Sequence, residues 1–155
     1  MSEIPVSPSE ESVPELTLVI PAHARHLGVA AGFIRAAARV AGFEDDGVEA
    51  VEIAVMEAVE NVIDHAQVGH HETVNVGVRL VGDDLVVEVR DMGVPWPDRV
   101  LNGEVGVEMP PIYSERGRGM AMMRALMDDV TPLQRPNGGK TLRMTKRLLR
   151  VAADA

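Results

Sequence analysis

The sequence predicts an α+β fold, a two-layer sandwich in which a mixed sheet is covered on one face by helices. Three observations carry this. Apolar residues recur at helical spacing in three separate stretches. Two β-branched runs, VNVGVRL and LVVEVRD, flank the turn VGDD as an antiparallel hairpin. The elements follow in the order strand, helix, helix, hairpin, long loop, helix and two strands, which is not the strand-helix repeat of a parallel doubly wound sheet.

Taken in order, the first element is LTLVI, Leu16 to Ile20, a run of strand length stopped by Pro21. His23 to Val40 carries Leu27, Ala30, Ala31, Ile34 and Ala38 on one side and reads as a helix that Gly42 closes. His23 and His26 fall on its first turn, where a capping or surface role fits better than metal ligation, because no third ligand stands nearby. Asp45 or Asp46 caps a longer helix reaching about Gln67, with Val51, Ala54, Val55, Ala58, Val62 and Ala66 as its apolar stripe. The hairpin pairs Thr73 to Leu80 with Leu85 to Asp91. A loop of about 25 residues follows, which inside a compact domain marks a functional lid or a disordered insert. Met120, Met123, Leu126 and Met127 then define a helix from about Gly119 to Asp129. VTPLQ, and the alternation of Leu142 and Met144 after a glycine turn, supply the last two strands.

A chain of 155 residues is enough for one domain with its own core, here residues 15–155. Residues 1–14, acidic and proline-rich, have little to bury and read as a disordered tail. There is no cysteine, which excludes disulfides and thiolate metal ligation. A net charge of −9 argues against nucleic acid or an anionic membrane as partner and favours a protein or a magnesium-bound nucleotide. No apolar run approaches the roughly 20 residues of a membrane span, and the first residues lack the basic-then-apolar order of a signal peptide. The expected location is cytoplasmic.

Four stretches carry candidate chemistry. In EAVENVIDHA, Glu57 and Asn61 lie one turn apart on the same edge of the apolar stripe, with Glu60 on the solvent side. Such a pair makes either a helix-surface hydrogen bond or a carboxylate base beside an amide oxygen able to ligate magnesium. In DMGVP, Asp91 ends a strand before Gly93 and Pro95, placed either to start a turn or to accept a hydrogen bond from an exocyclic amino group. In RGRGMAMMRALMDDV, glycines at the mouth of a helix form a hinge or let an anion approach free N–H groups. GGKT, Gly138 to Thr141, imitates the end of a P-loop, but that motif's first glycine falls on Gln134 and a strand follows instead of a helix. GRGMAM likewise lacks the third glycine and the preceding strand of a dinucleotide fingerprint.

In their order and spacing these stretches and the lid, Pro95 to Arg116, resemble the ATP-binding domain shared by gyrase, a heat-shock chaperone, histidine kinases and MutL. The short length and the ending MRALMDDV are most similar to the bacterial anti-sigma factor serine kinases. The resemblance spans Leu16 to Leu148. It implies ATP and Mg2+ as cofactors, Glu57 as general base and Asn61 as magnesium ligand. It also implies Asp91 on the adenine amino group, with Gly93 leaving room for the ring. Gly117, Arg118, Gly119 and Met120 would hold phosphates, and Thr141 would complete the adenine pocket through its hydroxyl. The family's second DxGxG glycine is Pro95 here. The implied function is an ATP-dependent anti-sigma factor and protein serine kinase. Its partners would be a sigma factor, a small anti-sigma antagonist bearing the acceptor serine, and a second copy in a homodimer. The alternative is an ATP-binding module that chooses partners without transferring phosphate. A histidine kinase catalytic domain is disfavoured, since no two-helix segment with a phosphoacceptor histidine precedes the ATP domain.

Overall fold

The structure, a computed structural model, describes residues 15–65, 72–93, 95–104, 118–136 and 139–149. The expected tail, the helix end beyond His65, Gly117, Gly138 and the lid residues 105–116 lie outside the described residues.

Strand β1, Leu16–Pro21, leads into a single 3-10 turn, Ala24–His26, and then helix α1, Leu27–Ala41. His23 caps that turn: its Nδ1 accepts the Arg25 N–H at 3.1 Å. At the other end Gly42 takes φ +107, the left-handed region where glycine meets no steric penalty, and its N–H closes the last turn on Ala38 and Arg39. Helix α2, Asp45–His65, buries Val48, Val51, Ala54, Val55, Ala58, Val59 and Val62. Asp45 and Asp46 stand within its first turn, not before it, where their charges favour the positive end of the helix dipole.

Strands β2, Thr73–Val81, and β3, Asp84–Asp91, form the predicted hairpin around Gly82, which adopts φ +61. The stretch expected as plain loop contains a short helix, α3, Asp98–Leu101, which starts after Pro97 and buries Val100. Helix α4, Arg118–Leu126, gives way to the edge strand β4, Asp129–Gln134, and then β5, Lys140–Arg147. Pro132 is tolerated in β4 because only one side of an edge strand is hydrogen-bonded.

The strands lie in the order β1-β2-β3-β5-β4. The two-layer α+β sandwich is as expected, with one difference from a mixed sheet: every pairing among these strands is antiparallel. Two helices, not one, join β1 to β2, so the chain comes back reversed, and β5 turns back from β4 into the gap beside β3. By strand alternation Ile20, Val74, Val76, Val78, Leu85, Val87, Val89, Leu142 and Met144 share the face that meets α1, α2 and α4 in one core. The opposite face carries Glu88, held by Arg79 and Arg90 at 2.5 Å each. Burial pushes the Glu88 carboxyl up, but the hydrogen bonds and charges of Arg90 and Arg79 outweigh it and hold it below the usual range. No described helix is long and apolar enough to cross a membrane.

Candidate functional site

A cavity of about 630 Å3 opens where the C-terminal half of α2 faces the ends of β3 and β5, roofed by the Pro95–Val100 segment and the first turn of α4. Glu57 and Asn61 line it from α2, Asp91 from the end of β3, and Gly119 and Met120 from α4. Residues far apart in the chain, from Glu57 to Leu142, therefore meet at one place. Glu60 is exposed, on the solvent side as its spacing predicts.

The α2 pair is open to the cavity. Among the described residues, neither the Glu57 carboxylate nor the Asn61 side-chain amide has a hydrogen-bond partner, while the Asn61 carbonyl is taken by His65 Nδ1 at 2.6 Å. Burial, followed by the negative charges of Glu60 and Asp64, pushes the Glu57 carboxyl above its ordinary value. Gly119 lies directly on this carboxyl. A Cβ there would fall 2.9 Å from Glu57 Cγ and 3.0 Å from Cδ, and closer still to Oε1. The absence of a side chain at 119 is thus what lets the Glu57 carboxyl lie this close, and no unusual backbone angle calls for glycine there.

Asp91 is half-buried, and burial pushes its carboxyl up, against the Gly93 N–H and the charge of Lys140, which pull it down. Its Oδ1 accepts that N–H at 2.8 Å, so Asp91 does initiate the local turn and still has Oδ2 to offer. A Cβ on Gly93 would stand 2.8 Å from the same Oδ1. Both readings of Asp91 left open by the sequence are compatible in one conformation.

Thr141 is the predicted site residue that the structure does not bring in. It is buried, but it pairs with Arg90 and Leu133, on the sheet face opposite Leu142, and it does not line the cavity. Lys140 occupies the inward position in its place, directly across from Asp91. The strand period of two decides this: Leu142 and Met144 face the core, so 140 does too, and 141 cannot. That parity was the signal available in the sequence. Trp96 was missed as well. Its indole lies 4.8 Å beneath the Lys140 ammonium, and its Nε1–H donates to the Thr141 carbonyl at 3.2 Å. Arg118 is the first residue of α4.

A second depression, about 640 Å3, lies on the outer surface between α1 and α2. Four of the five charged side chains that line it are paired, Arg35 with Glu52 and Arg39 with Asp45, and it gathers none of the residues singled out above except Asp45 in the first turn of α2. The cavity at the C-terminal half of α2 instead gathers the Glu57, Asn61 and Asp91 side chains.

The model of the histidine kinase-like ATPase domain family matches residues 20–146. The serine-protein kinase RsbW of Bacillus mycoides is 29% identical over 144 residues, 90% of this chain and 89% of that protein. A crystal structure of RsbU and RsbW domains from Mycobacterium tuberculosis superposes with a TM-score of 0.62 at 22% identity, covering 90% of this chain and 34% of that one, so this chain spans about a third of that larger protein. The catalytic domain of the histidine kinase ThkA gives a TM-score of 0.53 at 12% identity, over 85% of this chain and 97% of that domain. At these identities the two structures speak for the fold.

Proposed function

As the chain belongs to the histidine kinase-like ATPase domain family, we propose that its cavity binds ATP with Mg2+ and that it is a protein serine kinase acting on a small anti-sigma antagonist. The observation that carries this reading is the convergence of Glu57, Asn61 and Asp91, each with an oxygen that has no protein partner among the described residues, on one cavity closed by the first turn of α4. The relatives named serine-protein kinase support the reaction class. The similarity to anti-sigma factor kinases supports the wider role: a cytoplasmic homodimer that holds a sigma factor until unphosphorylated antagonist competes for it.

The donor set fits the nucleotide. Asp91 Oδ2 accepts from the adenine amino group, and the absence of a side chain at Gly93 leaves the ring room beside it. The backbone N–H groups of Arg118, Gly119 and Met120, in the first turn of α4, are at its positive end and suit the phosphates. No group of three acidic, histidine or cysteine side chains is gathered among the described residues, but magnesium that keeps waters and phosphate oxygens needs only one or two protein oxygens, and the Asn61 amide supplies one. When bound, that ion neutralises phosphate charge. Glu57 takes the proton from the attacking serine hydroxyl, and the raised basicity that burial gives it suits the task.

The test is incubation of the full chain with labelled ATP, Mg2+ and candidate antagonists encoded beside its gene, followed by mapping of phosphoserine. Transfer to one serine of one antagonist is expected. Tight ATP binding with no transfer to any of them would favour the partner-choosing module without phosphotransfer.

A further inference from the structure

Lys140 is a lysine in an unusual place. Only 9% of its surface is exposed, it stands on the core face of β5 among Leu142 and Met144, and its ammonium lines the cavity. Among the described residues no carboxylate forms an ion pair with it and no acceptor takes its hydrogen bonds. Its one close partner is the face of Trp96, 4.8 Å away, which attracts a cation but accepts no conventional hydrogen bond. The indole is itself pinned, through Nε1–H on the Thr141 carbonyl and the Trp96 backbone N–H on Gln134 Oε1, both at 3.2 Å. The ammonium is thus held in position without a protein acceptor among the described residues, at the cavity wall where its donors are open to a ligand.

What it faces is set by register. Asp91 and Lys140 are direct cross-strand partners on the same face, an acceptor and a donor side by side at the cavity wall. Adenine presents the complement on one edge: the amino group donates, and the ring nitrogen N1, bonded to the same carbon, accepts. N7 lies one atom further around the ring from that carbon. Resting on the reading of the cavity as an ATP site, we propose that Lys140 is a base-reading residue, donating to adenine N1 while Asp91 accepts from the amino group, with Trp96 as the platform that aims it. Adenine recognition in this chain then comes from a charged pair across two strands, and the carboxylate alone reads only half of the base edge.

Calorimetric titration of the full chain and of Lys140→Met with the magnesium complexes of ATP, 1-deaza-ATP and 7-deaza-ATP decides this. Methionine keeps the length and the apolar stem at a buried position, and Lys140→Gln, which keeps a neutral donor, is the second variant. In the parent, 1-deaza-ATP should bind about tenfold or more weakly than ATP, the loss expected for a hydrogen bond to a charged group, and 7-deaza-ATP about as well as ATP. In Lys140→Met, ATP should drop to the level of 1-deaza-ATP, and the two should become indistinguishable, since the partner of N1 is gone. Lys140→Gln should recover part of the discrimination. An equal 1-deaza penalty in the parent and in both variants overturns the proposal, as does a penalty that follows 7-deaza-ATP. A parent that binds none of the three nucleotides overturns the reading of the cavity together with this proposal; a parent that binds ATP without coupling to Lys140 overturns this proposal alone.

Discussion

Replacing Gly119 by alanine puts one carbon where Glu57 already stands. The new Cβ would lie 2.9 Å from Glu57 Cγ and 3.0 Å from Cδ. Ordinary carbon contacts begin near about 3.5 Å, so the Cδ must retreat by about half an ångström and the nearer Oε1 by more. Everything that must move belongs to the outer part of one flexible side chain. An off-rotamer Glu57 costs about 0.5–1.5 kcal/mol, and alanine offers up to about 1 kcal/mol over glycine inside a helix. These nearly cancel, so the melting temperature should stay within a few degrees of the parent. The chemistry should not. A catalytic group displaced by about 1 Å loses roughly a hundredfold in rate, equivalent to about 2.7 kcal/mol. Single-turnover transfer from saturating ATP to the antagonist, measured beside a thermal melt, separates the two effects. Transfer at the parental rate would refute Glu57 as a base whose position Gly119 permits; a collapse of the melt would make Gly119 a packing residue instead.

Glu57→Gln is nearly isosteric and breaks no hydrogen bond among the described residues, so nucleotide binding should persist while transfer falls about 10²–10⁴-fold; a parental rate in a quenched-flow assay removes Glu57 from the reaction. Because burial and like charges oppose its ionisation, the same variant should melt no lower than the parent at neutral pH. Asp91→Asn should weaken ATP by about 1.5–3 kcal/mol, read by titration, since the amide loses a charge-assisted acceptor. In the parent, ATP affinity should decline as pH falls toward the raised pKa of Asp91. The stability sign is opposite: a carboxyl lifted above its ordinary 3.8 binds its proton more tightly when folded. Its contribution is present below that value and lost as pH rises through the folded pKa, so the nucleotide-free parent should lose more stability across that window than Asp91→Asn does. Finally, the Pro95–Glu104 segment, which covers the cavity with Trp96 and Val100, should exchange its amide hydrogens more slowly with ATP and Mg2+ present; equal protection would make it a static wall.

Much of this was legible because it depends on local period. The stripe of α2 places Glu57 and Asn61 on one edge whatever surrounds the helix, and VGDD turns the hairpin whatever lies beside it. What the local pattern lacks is pairing partners. Nothing between Asp129 and Arg147 says that β5, not β4, lies against β3, and the position of Lys140 beside Asp91 follows from that choice. The Thr141 assignment came from a motif read as a string; strand parity, counted from Leu142 and Met144, selects its neighbour. Helix α3 escaped because it is four residues long, too short for any stripe, and the prolines around it read as loop. Trp96 gives no sign in the sequence of the lysine it supports 44 positions later, as 140 − 96 gives.

The cavity's walls come from different layers: Glu57 and Asn61 from the helices, Asp91 and Lys140 from the sheet. A nucleotide held by both sets would therefore tie the helix layer to the sheet. Its binding energy is stored in the folded state alone, and at a free concentration a hundred times its dissociation constant that amounts to about 2.7 kcal/mol. A cell's supply of nucleotide would then govern how long each molecule of this protein survives as well as what it does.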